Sequence, residues 1–148
     1  MIIQVIGAFL GIISVSVIYG IDRKFMVYCG ADGAIGWLVY LMVGRYTDSE
    51  SIKAFIATLC VAMIAHVFAR VIKAPVTIFL IPGILPLVPG IGMYRSVYHF
   101  MIEDGLASHY MIETIKTAGA IAMAIFTMDT LFRLYPQISF KKREERQK

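Results

Sequence analysis

The chain has 148 residues, of which 59% are hydrophobic and 16% charged, with a net charge of +4 and a mean hydropathy of +0.75. Soluble domains are about 45–50% apolar, and a chain this short buries too little surface to hide the excess. The composition argues against a soluble domain and for an all-α integral membrane protein in a lipid bilayer. The positive charge reads as basic loops facing anionic lipid rather than as a nucleic-acid surface.

The charges are clustered and leave charge-free runs at 1–21, 33–44, 54–69, 74–94 and 117–128. A bilayer core takes about 20 mostly apolar residues per helix. The runs predict five spans, at about 2–19, 25–43, 52–71, 75–98 and 115–134, in one membrane domain over 1–140. The first run has no basic leader and no clear cleavage site, so it reads as a retained span rather than a signal peptide. Gly7 and Gly11 within it form a GxxxG pair. The second span carries Gly30, Gly33 and Gly36, a face on which helix backbones can approach closely. Cys29 and Cys60 lack metal-ligand spacing and read as small buried residues. The fifth span is expected to end at Pro136, before a basic tail at 141–148.

Lys and Arg near the span ends set orientation. With the N-terminus outside, ten of these residues fall on the inner side and four on the outer. The chain is therefore expected to be N-out and C-in.

The fourth span is the unusual one. It carries Pro82, Pro86 and Pro89 with Gly83, Gly90 and Gly92 among them. Proline removes a donor from the carbonyl four residues back. The affected carbonyls belong to Ile78, Pro82 and Leu85, and a helix would align them in one unpaired strip. Such backbone survives at membrane depth only inside protein or against a wet cavity. Broken helices of this kind form transporter sites, with carbonyls holding cations and half-helix N-termini holding anions. Candidate substrate-binding residues are therefore Ile78, Pro82, Gly83, Leu85, Pro86, Pro89, Gly90, Gly92, Tyr94 and Arg95. The competing reading is a kinked packing helix.

Ionisable groups at membrane depth are functional candidates by default. Here they are Asp32, His66, Arg70 and Asp129, with a reversible proton on Asp32 or His66 as the expected coupling device. Arg70 and Asp129 also read as interfacial, and Asp129 as a partner of Arg133. HExxH, GxSxG and phosphate-loop motifs are absent from the sequence, so no enzyme, metal or cofactor is expected.

The run IPGILPLVPGIGMY at 81–94 resembles the signature of the threonine/serine exporter family, supported by ARVIKAP at 69–75 and CGADGAIGW at 29–37. The likeness covers about the whole chain and corresponds to the five-span C-terminal half of that family. In split systems this half is a separate small subunit. The resemblance implies export of small hydrophilic metabolites across a bacterial cytoplasmic membrane, with amino acids such as threonine and serine as substrates. Dicarboxylates such as succinate are the alternative. It also implies a larger multispan subunit as partner, self-association, or both. The hydrolase-like region of fused members would come from that partner, and no family role is carried onto His66. Two competing readings stand beside it: a homo-oligomeric channel and a membrane scaffold without transport.

Overall fold

A computed structural model describes the backbone of residues 1–103 and 105–145 and the side chains of 1–103 and 105–134. The described residues are helical, without strands: α1 (Ile2–Ile18), α2 (Arg23–Val43), α3 (Glu50–Ile72), α4 (Thr77–Ile84), a 3-10 turn (Leu85–Leu87), α5 (Gly90–Met101) and α6 (Ala107–Glu145). Three stretches are long and apolar enough to cross a membrane: α2, α3 and Ala107–Leu134 of α6. A fourth results if Thr77–Leu87 and Gly90–Met101, bent by 47°, make one pass. At 17 residues, α1 is shorter than these. At 1.5 Å per residue it spans about 25 Å, under the roughly 30 Å of a hydrocarbon core. It stops where Gly20 takes a left-handed φ of +67°.

Two expected boundaries are corrected. The last helix starts at Ala107 rather than near 115, and it does not stop at Pro136 but runs on to Glu145. The side chains of the expected basic tail lie outside the described residues.

Neighbouring contacts fix the helix directions. Ile12 meets Gly33 and Ser16 meets Cys29, so α1 and α2, joined by the short turn 19–22, are antiparallel. Gly36 meets Val61 and Gly44 meets Lys53, so α2 and α3 are antiparallel as well. Ser51 pairs with Thr117 and Arg70 with Phe132, which makes α3 and α6 parallel. One end of the bundle thus gathers Met1, Arg45, Glu50 and the start of α6. The other gathers the α1–α2 turn, Lys73 and Arg133.

Small residues let the centre close. On α3, Ala54, Ala57, Ala62, Ala65 and Ala69 are buried at helical spacing. Phe79 of α4 fills the space against Phe25, Tyr28 and Phe68 with its edges and theirs. The glycines divide into two groups. A Cβ on Gly33 would lie 2.0 Å from Ile12 Cδ1, and one on Gly36 2.3 Å from Val61 Cγ2. Gly7 and Gly11 face open space, so among the described residues the GxxxG pair of α1 packs against nothing.

Gly36→Ala should therefore overpack the α2–α3 contact and cost about 1–3 kcal/mol. Gly7→Ala and Gly11→Ala should stabilise α1 by about 0.5–1 kcal/mol, the helix penalty of glycine. Melting of detergent-purified variants checks both. A Gly36→Ala protein that melts with the wild type would remove the packing argument.

Candidate functional site

The proline-freed carbonyls are not left bare. The Cys29 thiol donates to Ile78 O at 3.2 Å, in place of the N–H that Pro82 lacks. Pro82 O, freed by Pro86, takes the N–H of Leu85. Leu85 O, freed by Pro89, takes the N–H of Val88 at 3.3 Å. The 3-10 turn makes the last two possible, because it draws donors from three residues on rather than four. The expected strip of unpaired carbonyls is thus corrected. Pro136 follows the same rule: the Arg70 guanidinium donates to Phe132 O at 3.0 Å, the carbonyl four residues before that proline.

After the 3-10 turn the chain reverses tightly. Pro89 sits at φ −76° and ψ 58°, and Gly90 N–H returns to Val88 O at 2.7 Å. These are the angles and the bond of an inverse γ-turn, for which proline supplies the φ. Helix α5 then begins, with Met93 N–H on Pro89 O at 3.0 Å. The N–H groups of Ile91 and Gly92 lie in its first turn, which has no acceptor within the helix.

That first turn borders a cavity of about 500 Å³. Its floor is the break itself, residues 86–92. Trp37 and Tyr40 come from α2, Glu50 from α3, Arg95 from α5, and His109, Tyr110, Glu113, Thr114 and Thr117 from α6. Two carboxylates and a guanidinium share this space. Glu50 accepts from Lys53 Nζ at 2.7 Å and from the Tyr40 hydroxyl. Glu113 accepts from Lys116 at 2.8 Å. Arg95 lies 5.8 Å from the centre of the Tyr110 ring. Trp37 and Tyr40 stack at 5.1 Å and form an aromatic wall. At Gly92 a Cβ would come within 2.5 Å of Thr114 Oγ1, so only glycine lets α5 rest on α6 there.

The expected site residues separate into groups. Pro86, Pro89, Gly90, Gly92 and Arg95 line the cavity. Ile78, Pro82, Gly83 and Leu85 do not, since they belong to the packed stretch before it. Tyr94 is exposed and stacks on Tyr98 at 6.1 Å. The cavity residues of α2, α3 and α6 were missed by sequence reasoning. Their one local signal is the clustering of Trp37, Tyr40 and Tyr110 towards span ends, where amphipathic rings settle.

Asp32 occupies a second location. It is fully buried, and neither carboxylate oxygen has a hydrogen-bond partner. A Cβ on Gly83 would lie 2.7 Å from Asp32 Oδ2, so the end of α4 closes directly on the carboxylate. Thr58 Oγ1 is likewise buried without a partner.

The remaining ionisable candidates meet near the opposite end, between α3 and α6. His66 Nδ1 lies 2.8 Å from Ala62 O; a carbonyl only accepts, so this nitrogen carries the hydrogen. Its Nε2 is 3.7 Å from Asp129 Oδ1, while Asp129 Oδ2 takes Arg133 Nε at 2.8 Å. Phe132 stacks on His66 at 4.5 Å and lies under Arg70 at 4.7 Å. Asp129 thus pairs with Arg133, as its spacing suggested, and also faces His66 across the helix contact.

A family model described as "Threonine/Serine exporter, ThrE" matches residues 4–131. No curated protein and no solved structure matches the chain.

The role of Arg70 predicts a compensating pair. Arg70→Met leaves Phe132 O without its donor and should cost about 1–3 kcal/mol. Pro136→Ala restores an N–H to the same carbonyl and should recover most of that loss. A double-mutant cycle on purified protein measures the coupling, and strictly additive effects would separate Arg70 from the proline.

Proposed function

The chain belongs to the threonine/serine exporter family, and on that premise we propose that it is a membrane subunit of a bacterial exporter of small zwitterionic amino acids. The observation that carries this reading is the mixed charge of the cavity at the helix break. A carboxylate suits the N–H groups of Ile91 and Gly92 and the Arg95 guanidinium. An ammonium suits Glu50, Glu113 and the faces of Trp37, Tyr40 and Tyr110. This reading moves the ammonium away from the carbonyls of Ile78, Pro82 and Leu85, which already have partners. A dicarboxylate would bring two anionic ends into a space that holds two glutamates, so the amino acid is favoured over it.

We further propose five passes, N-out and C-in, in the cytoplasmic membrane, with α1 as a short pass and α4–α5 as one bent pass. Support comes from the alternating helix directions, from Arg45 reaching Met1 Sδ at 2.8 Å, and from the ten-to-four distribution of Lys and Arg. The cavity opens at the outer end in this arrangement. The chain works with a larger multispan subunit, because five helices this thin cannot seal a path for a hydrophilic solute on their own.

Two experiments test the proposal. A reporter fused after Lys148 should read cytoplasmic and one inserted between Thr47 and Asp48 external; the same side for both would end the five-pass arrangement. Efflux from loaded cells, with the chain co-produced beside a larger multispan partner, tests the substrate. Glu113→Gln should lower threonine and serine efflux about tenfold, the loss of one charged contact, and leave dicarboxylate efflux unchanged or raised. Arg95→Gln should lower both. Full amino-acid efflux in both variants, with normal amounts in the membrane, would show that the cavity is not the site.

A further inference from the structure

The carboxylate of Asp32 has no partner, and what surrounds it makes that costly. It lies against Gly83, at the end of α4, where a helix carries partial negative charge. Two negative ends therefore face each other in an apolar core. The cationic side chains of α2 and α3 lie elsewhere: Arg23 is exposed at the start of α2. Lys24 pairs with Asp22 at the bundle end, Lys53 with Glu50, and Arg70 with Phe132 O. His66 is held between Ala62 O and Asp129. Helices α1 and α4 carry no charged residue. The nearby thiols are Cys29, committed to Ile78 O, and Cys60. A buried charge persists only when paired.

We propose that Asp32 and the Gly83 end of α4 form a site for one monovalent cation, a sodium ion or a proton. The shared chemistry is a single positive charge that balances a single carboxylate. A divalent ion would leave net charge in the core, and among the described residues there is no group of three His, Cys, Asp or Glu that could hold a metal ion. The end of a broken helix supplies neutral oxygens of the kind that coordinates such ions. The Gly83 carbonyl is the nearest candidate. Residue 86 would be its donor in a 3-10 turn, and Pro86 has no N–H. That carbonyl lies 3.1 Å from the Cβ position of Gly33, beside Asp32 in the chain.

The site deepens the exporter reading and rests on it for its purpose. An occupied site draws the end of α4 onto α2. An empty one sets two negative ends against each other and pushes α4 away, and the residues that follow are the cavity floor. Each chain thereby couples one charge to the geometry of the break. Ion binding is measured on purified protein without transport, so its failure is distinct from a failure of the exporter reading.

Trp37 is the only tryptophan of the chain. It lies on the same helix as Asp32 and lines the cavity, so its emission reports on both. The detergent-purified full chain is titrated with sodium chloride against choline chloride at fixed pH, and separately with pH in the absence of sodium. Emission and melting temperature are read in each. Glu50 and His109 also line the cavity, so the quantity of interest is the part of the response that Asp32→Asn removes. One titration should give a saturable single-site shift in emission with a rise in melting temperature, lost in Asp32→Asn and kept in His66→Gln. Which titration responds identifies the ion. No response in either, a response that survives Asp32→Asn, a response lost in His66→Gln, or one that needs calcium overturns the proposal. The wild-type and His66→Gln titrations keep it falsifiable even if Asp32→Asn does not fold.

Discussion

Backbone at membrane depth has no water to turn to, and this constraint arranges the rest of the structure. The carbonyls four residues before Pro82, Pro86, Pro89 and Pro136 each obtain a donor. Within the break, the 3-10 turn provides it from the next residues. Where the turn cannot, a neighbouring helix does: Cys29 of α2 reaches Ile78 of α4, and Arg70 of α3 reaches Phe132 of α6. The bends are thus fixed by contacts between helices.

Close approach is the second requirement, and glycine meets it. Gly33 and Gly36 bring α2 against Ile12 and Val61, and Gly83 brings the end of α4 against Asp32. A methyl group at Gly83 would collide with Asp32 Oδ2 at 2.7 Å and with Val61 Cγ1 at 2.9 Å. The sequence therefore spends its least bulky positions on bringing backbone next to a lone carboxylate. Packing alone gives no reason for that choice. Among the described residues, the buried side-chain oxygens without a partner are those of Asp32 and of Thr58. A buried carboxylate without a partner is what sets the location apart from ordinary helix packing.

Much of this was legible in the sequence, and the remainder was hidden for physical reasons. Charge-free runs marked the helices, prolines 82, 86 and 89 marked the break, and the run at 81–94 carried the family likeness. The length of α6 was not legible, because Pro136 reads as a stop unless Arg70 is known to stand beside it. Nor was the sharing of the cavity. In a soluble helix the apolar stripe tells which side is buried. In a bilayer every side is apolar, so that signal fades, and Trp37, Glu50 and Glu113 could not be assigned a common space. The freed carbonyls were identified correctly as Ile78, Pro82 and Leu85. Their donors were not, since one comes from a helix some fifty residues earlier in the chain.

The surface of α5 bears on whether the bent segment is one pass. Among the described residues α5 packs on α6 alone, and no residue of it is buried. The side turned towards α6 carries Gly92, Arg95 and His99, in contact with Thr114 and Tyr110. The opposite side carries Ile91, Tyr94, Val97 and Met101, all exposed. A helix bathed in water would be turned the other way, with its apolar residues inward. An inside-out helix belongs where the surroundings are apolar and the polar groups line a shared interior seam. The seam between α5 and α6 is continuous with the cavity at the break, since Arg95, His109 and Tyr110 belong to both. The distribution thus fits α5 to apolar surroundings, with its polar side on the seam that continues the cavity at the break.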